Sequence, residues 1–144
     1  MKQGNRWHLF LMLLLVLIFQ GCGKKEDPIP YNVLSPKAIS DLEAKPGRDG
    51  IILRWRVEEY GTHTEFKITR SELGTASDSC PGCPREYLPI ADLSPGDKKL
   101  TREGEGAFSY IDTTVEPGKI YSYRVIVCNV PGGCSDISNT VEIK

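Results

Sequence analysis

The stretch VEPGKIYSYRVIV, residues 115–127, decides the fold. It opens with a Pro-Gly turn and continues as a run in which every second residue is apolar or aromatic. Strict alternation is typical of a β-strand with one buried face. We therefore expect Tyr121, Tyr123, Val125 and Val127 to point into a core. Helical periodicity is absent from residue 36 onward, so the sequence predicts an all-β domain.

Further alternating runs surround this stretch. IILRWRV (51–57) places Ile51, Leu53, Trp55 and Val57 on one face, and TEFKITR (64–70) does the same for Phe66 and Ile68. AFSYID (107–112) and DISNTVEIK (136–144) are also predicted strands, the last with Ile137, Asn139, Val141 and Ile143 on one face. We expect Arg54, Arg56 and Arg70 on the solvent-facing surface. Turn residues separate the runs, which is typical of a β-sandwich.

Two segments resemble the fibronectin type III family. ISDLEAKPGRDGIILRW (39–55) resembles strands A and B, and FSYIDTTVEPGKIYSYRVIVCNVPGGCSDISNTVEI (108–143) resembles strands E, F and G. The resemblance implies a seven-strand immunoglobulin-like sandwich over residues 36–144, with Trp55 as the strand-B tryptophan. It also implies a tyrosine corner at Pro117 and Tyr121, in which the Tyr121 hydroxyl hydrogen-bonds to backbone just upstream.

The N-terminus carries an export signal. Lys2 and Arg6 precede the apolar run LFLMLLLVLIF (9–19), which is too short to span a bilayer and fits a signal peptide. FQGC (19–22) is similar to a bacterial lipoprotein signal. The resemblance implies a signal peptide at 1–21, lipidation of Cys22, a Pro-containing tether at 22–35 and, because Gly23 follows, residence at the periplasmic face of the outer membrane.

Four further cysteines remain: Cys80, Cys83, Cys128 and Cys134. An even number in an exported chain indicates disulfides. Cys128 and Cys134 are expected to pair across a hairpin, and Cys80 and Cys83 around Pro81-Gly82. A shared zinc site is disfavoured, because the implied strand order places the two pairs at opposite ends of the sandwich. A redox centre at Cys80 and Cys83, or free thiols there, remain alternatives.

Catalytic, metal and cofactor sites are not predicted. His63 is the one histidine after the signal peptide and is expected in a solvated loop, and the phosphate-binding and metalloprotease motifs are absent. Removing Lys2 and Arg6 leaves 16 basic against 19 acidic residues (18 − 2 and 19), so nucleic-acid binding is not expected.

The sequence thus predicts a non-catalytic binding or scaffolding module, with the membrane bound through Cys22 and an unidentified envelope protein as partner. Residues 71–86 form a long predicted loop and are the candidate recognition surface. Two alternatives stand. CGKKEDPIP (22–30) resembles the start of the small lipoproteins that mature the lipopolysaccharide translocon, which would imply an assembly factor for an envelope complex. A thiol-disulfide protein using Cys80 and Cys83 is the other.

Overall fold

The computed structural model describes residues 35–74, 84–130 and 132–144. Cys80, Cys83, the predicted signal peptide, the predicted lipidation site Cys22 and nearly all of the predicted tether lie outside these residues. The described part contains eight strands and no helix: β1 (Glu43–Pro46), β2 (Ile51–Arg56), β3 (Thr64–Leu73), β4 (Leu88–Leu93), β5 (Leu100–Gly104), β6 (Ala107–Asp112), β7 (Ile120–Asn129) and β8 (Val141–Ile143). Consequently no helix in this part could cross a membrane.

The strands form two four-stranded antiparallel sheets, β1-β2-β6-β5 and β4-β3-β7-β8. The long β3–β7 pair runs from Thr64↔Asn129 to Leu73↔Ile120 and fixes which side chains face the other sheet. This strand order is that of an immunoglobulin-like sandwich of the fibronectin type III kind, so the predicted fold class is confirmed.

The structure adds one strand to the seven that were predicted. β5 pairs with β6 at the edge of its sheet, and its register shifts between Arg102 and Gly104. Of its five residues only Leu100 is buried. An edge strand with four exposed residues has no alternating pattern, which explains why the sequence did not predict it.

The core lies between the sheets and is largely the predicted one. Trp55 is buried, with its ring edge-on to Phe66 at 5.4 Å between centroids and stacked at 6.5 Å on Phe108. Burying each such side chain contributes about 1.5–3 kcal/mol. The Trp55 Nε1 is buried and has no hydrogen-bond partner in the described residues. The other fully buried apolar side chains are Leu53, Ile68, Tyr121, Tyr123, Val125 and Val127.

Two predicted positions are wrong. Arg70 was expected at the surface, but it is the register partner of Tyr123 on the inner face, and its side chain is 15% exposed. Ile137 was expected in the core, but it is 52% exposed. The reason is that residues 134–140 form no regular strand, since β8 begins only at Val141.

Side-chain hydrogen bonds supplement a few backbone hydrogen bonds in that last segment, such as those from the Ser135 and Ser138 N–H groups to the Val127 and Val125 carbonyls at 2.8 and 3.0 Å. The hydroxyls of Ser135 and Ser138 accept hydrogen bonds from the backbone N–H groups of Val127 and Val125, at 3.1 and 2.9 Å. The Asn139 amide accepts from the Leu42 N–H and donates to the Leu42 carbonyl, both at 2.9 Å. The serine bonds hold the last segment to β7, and the Asn139 bonds join it to the segment before β1.

Candidate binding surface

The turns gather at two ends of the sandwich, as the implied strand order predicted. We call one the polar end: it holds the β1–β2 turn (47–50), the β6–β7 turn (113–119) and both described stems of the β3–β4 connection. We call the other the disulfide end: it holds the β2–β3 turn (57–63), the β5–β6 turn (105–106) and, after β7, Val130 and residues 132–134.

The polar end is built around the carboxylate of Asp112, which is 1% exposed. It accepts hydrogen bonds from the Arg70 guanidinium at 2.7 Å, the Tyr123 hydroxyl at 3.0 Å, and the Thr114 hydroxyl and N–H at 2.7 and 3.0 Å. Burial acts to raise the pKa of Asp112. The hydrogen bonds from Thr114, Arg70 and Tyr123 outweigh burial and hold the pKa below its usual value. Burial beside this carboxylate raises the pKa of Tyr123.

The tyrosine corner lies beside this network. The buried Tyr121 hydroxyl accepts a hydrogen bond from the Glu116 N–H at 2.8 Å, as predicted. Pro117 and Gly118 occupy the centre of the turn, and the φ of +85° at Gly118 is what a type II turn requires at its third residue. The Arg70 guanidinium lies 5.0 Å from the centre of the Tyr121 ring. The network and the β6–β7 turn therefore share the Arg70 side chain.

The β3–β4 connection is shorter than predicted. Ser71, Glu72 and Leu73 continue the ladder of β3 with Ser122, Tyr121 and Ile120, and β4 begins at Leu88. The connection is therefore 74–87 rather than 71–86. Residues 84–87, its described second stem, are called the arm.

The arm is held against the outer face of the sheet β4-β3-β7-β8. The Tyr87 hydroxyl is hydrogen-bonded to Ser122 at 2.9 Å, and the Arg124 guanidinium stacks 3.7 Å from the Tyr87 ring centre. Arg85 forms an ion pair with Glu142 at 2.6 Å. Ser122 points outward, beside Glu142, yet it is fully buried. The Tyr87 side chain thus covers part of a face that would otherwise meet solvent.

The opposite outer face, on the sheet β1-β2-β6-β5, has no such arm among the described residues. Some of its exposed charges are paired within the sheet, as in Arg54–Glu103 at 3.1 Å and Lys45–Glu43 at 2.9 Å. Exposed pairs of this kind contribute about 1 kcal/mol or less. The exposed Ile111 also lies on this face, which differs from the first in having no arm among the described residues.

A disulfide joins Cys128 to Cys134 at the disulfide end. The backbone links the neighbouring turns, because the Val130 N–H donates to the His63 carbonyl at 2.8 Å. His63 itself is exposed, as predicted. Glu58, paired with Lys37 at 2.6 Å, and Glu59 line a shallow depression beside Ser35, where the described domain begins.

The described residues contain no cluster of three or more His, Cys, Asp or Glu side chains that could hold a metal ion. The predicted pairing of Cys80 with Cys83 stays a prediction. Asp112 and Tyr87, which hold the polar end and the arm, were not predicted as important residues. The sequence pattern does indicate a buried Asp112, since alternation from Phe108 and Tyr110 places it on the inner face. Tyr87 had no comparable signal.

Comparisons with known proteins yield structural likenesses alone. No protein-family model matches the chain, and no curated protein matches it in sequence. Pectate lyase Pel3 from Pectobacterium carotovorum is 17% identical, with a TM-score of 0.47, over 75% of this chain and 27% of the lyase. Pectate lyase PelI from Erwinia chrysanthemi is 24% identical, with a TM-score of 0.46, over 73% of this chain and 28% of the lyase.

An Fn3-like protein from Clostridium thermocellum is 19% identical, with a TM-score of 0.47, and the match covers 76% of this chain and 93% of that protein. The chain thus spans about a quarter of each pectate lyase but most of the Fn3-like protein. At these sequence identities and TM-scores, the structural similarities do not support any inference about activity. The assignment of the fold rests on strand order, register and the tyrosine corner.

Proposed function

We propose that the protein is a non-catalytic binding or scaffolding module, held at the periplasmic face of the outer membrane by a lipid on Cys22. A fold alone does not give function, so the proposal needs a surface that the fold prepares for a partner. The observation that carries it is the arm: the second stem of the β3–β4 connection is fixed to the sheet by Tyr87, Arg124 and the Arg85–Glu142 pair.

Fixing the arm has a consequence for binding. Ordering a loop when a partner binds costs conformational entropy, about 0.5–1.5 kcal/mol for each immobilised side chain. An arm already ordered in the free protein avoids part of that cost. Connections longer than about 12 residues are also often functional. The first argument favours the arm, residues 84–87, and the second favours the connection at 74–87 as the partner-binding region.

The geometry of the domain supports an outward orientation of this region. The described domain begins at Ser35, next to Glu58 and Glu59 at the disulfide end. The arm and the β6–β7 turn lie at the polar end, at the other end of the strands. A domain attached through its N-terminal side would therefore present the polar end away from the attachment point.

Site-specific photo-crosslinking in intact cells tests the binding surface. The crosslinking residue is placed at Glu86, exposed on the arm, or at Thr101, exposed on β5, as the matched control. We expect discrete crosslinked products from position 86 and none from position 101. The proposal fails if both positions give the same products or if position 86 gives none.

Mass spectrometry of the N-terminal peptide tests the anchor. The wild-type chain should begin at Cys22 and carry acyl chains, whereas Cys22→Ser should retain residues 1–21. Normal cleavage of the Cys22→Ser chain, or an unmodified cysteine in the wild type, would contradict lipid anchoring. The crosslinking experiment tests the binding surface separately.

A further inference from the structure

The two cysteines of the Cys128–Cys134 disulfide differ in exposure. Cys128 lies on β7 and is 3% exposed, whereas Cys134 lies after β7 in the irregular segment and is exposed. The two residues form an isolated antiparallel bridge outside the regular ladders. Cys128 is thus a buried residue of the sandwich, and Cys134 is a residue of its surface.

We propose that Cys134 is a site of thiol-disulfide exchange at which an external dithiol opens this bond. A thiolate must approach the attacked sulfur along the S–S axis, and access decides which sulfur reacts. Approach to Cys134 comes from the exposed segment that follows β7. Approach to Cys128 would require β7 to be uncovered.

The exchange balances as two displacements. The first thiolate of the reductant attacks the Cys134 sulfur, the S–S bond breaks, and the electron pair leaves on the Cys128 sulfur, which takes up a proton. The second thiolate of the reductant then attacks the reductant's first sulfur, which is bonded to Cys134 in the mixed disulfide. This attack releases the Cys134 thiolate, which is protonated in turn. The reductant ends as an internal disulfide and the protein as two thiols.

The surroundings of Cys128 explain why a dithiol is the fitting reductant. Cys128 is buried, and its register partner on β3 is Glu65, so neither burial nor the neighbouring carboxylate favours a thiolate there. A sulfur that leaves poorly as a thiolate slows the first displacement and favours its reversal. A second thiol within the same reductant resolves the mixed disulfide before the bond closes again.

Opening the bond should act locally. The neighbouring contacts are backbone hydrogen bonds that do not involve sulfur: the Asn129 N–H to the Gly133 carbonyl at 3.2 Å, and the Ser135 N–H to the Val127 carbonyl at 2.8 Å. The sandwich would remain folded while Val130 and the described residues 132–134 become more mobile. The exchange would therefore change the disulfide end without unfolding the domain.

Two matched variants test the asymmetry. In a full-length chain with Cys22, Cys80 and Cys83 changed to Ser, Cys128→Ser leaves the Cys134 thiol alone, and Cys134→Ser leaves the Cys128 thiol alone. We expect Ellman's reagent to react with Cys134 at least about tenfold faster than with Cys128 in the native protein, because thiol reactivity follows exposure. The two rates should become equal in denaturant. Equal native rates, or a faster Cys128, would overturn the proposal.

Trapping gives a second readout on the intact disulfide. The same background with Cys128 and Cys134 retained is treated with reduced glutathione, quenched in acid and mapped by mass spectrometry. We expect the glutathione adduct on Cys134 and the free thiol on Cys128. An adduct on Cys128, or an even division between the two, would overturn the proposal.

Discussion

The two ends of the sandwich are held by different kinds of bond. At the polar end, side chains converge on one buried carboxylate, Asp112, and the turn is fixed by the Tyr121 hydroxyl. At the disulfide end, a covalent bond and backbone hydrogen bonds hold the turns, as in Cys128–Cys134 and Val130–His63. The polar end therefore depends on the identity of a few side chains, whereas the disulfide end depends on the redox state of two sulfurs.

This difference separates the two proposals. The arm and its sheet face belong to the polar end, and the proposed exchange site belongs to the disulfide end. If the two ends are independent, a partner bound at the arm would be insensitive to opening of the disulfide.

Asp112→Ala should give the largest loss of stability. It leaves the Arg70 guanidinium, 15% exposed, without its carboxylate, and removing one partner of a buried pair costs about 3–5 kcal/mol. The control is Glu103→Ala, which removes the partner of the exposed Arg54 and should cost about 1 kcal/mol or less. Urea unfolding measures both. Similar losses in the two variants would contradict a special role for the polar end.

Acid should weaken the polar end selectively. The pKa of Asp112 is lowered by folding, so its contribution is fully present above the unfolded value of about 3.9 and is lost as the pH falls through the lower, folded value. The stability advantage of the wild type over Asp112→Asn should therefore be constant from pH 7 to about 5 and shrink below about pH 4. Urea midpoints measured across this range give the advantage. A difference that does not change with pH would refute the assignment.

Removing the disulfide should have a smaller effect. The double variant Cys128→Ser/Cys134→Ser opens a short loop, and the chain-entropy model assigns such a loop roughly 2 kcal/mol. Thermal unfolding should show this loss. As a control, Cys80 and Cys83 are also changed to Ser in the double variant. A dithiol reductant should then leave the melting temperature of this variant nearly unchanged. A loss as large as that of Asp112→Ala would mean that the disulfide supports the whole sandwich.

Tyr121→Phe should give the smallest effect of the four. It removes the hydroxyl that satisfies the Glu116 N–H and leaves the ring in the core, at a cost of about 1–2 kcal/mol. Tyr110→Phe, at a half-buried tyrosine of β6, is the control and should cost less. Urea unfolding compares the two variants. If Tyr110→Phe costs as much, the corner hydrogen bond contributes little.

Alternation predicted the parts of the fold that have one buried and one exposed face. The runs at 51–57, 64–70 and 115–127 became β2, β3 and β7, because apolar side chains at every second position have to face the other sheet. β5 was not predicted, and residues 136–140 were predicted as strand but are irregular. β5 buries little, and beside β7 the hydroxyls of Ser135 and Ser138 accept hydrogen bonds that the carbonyls of a regular strand would accept.

Arg70 shows where the sequence argument failed. It follows Phe66 and Ile68 at the same spacing, so alternation placed it on the inner face, but its charge led to the opposite prediction. The missing information was the partner, since Asp112 lies 42 positions later in the chain and the two meet only in the folded sandwich. The predictions for Cys22, Cys80 and Cys83 stay predictions.

Hydrogen exchange at single amides tests the independence of the two ends most directly. The Glu116 N–H reports on the polar end and the Val130 N–H on the disulfide end. In Cys128→Ser/Cys134→Ser, we expect exchange at Val130 to accelerate at least about tenfold more than exchange at Glu116, since local openings differ in free energy across a structure. Equal acceleration at both amides would show that the ends open together and would contradict the account.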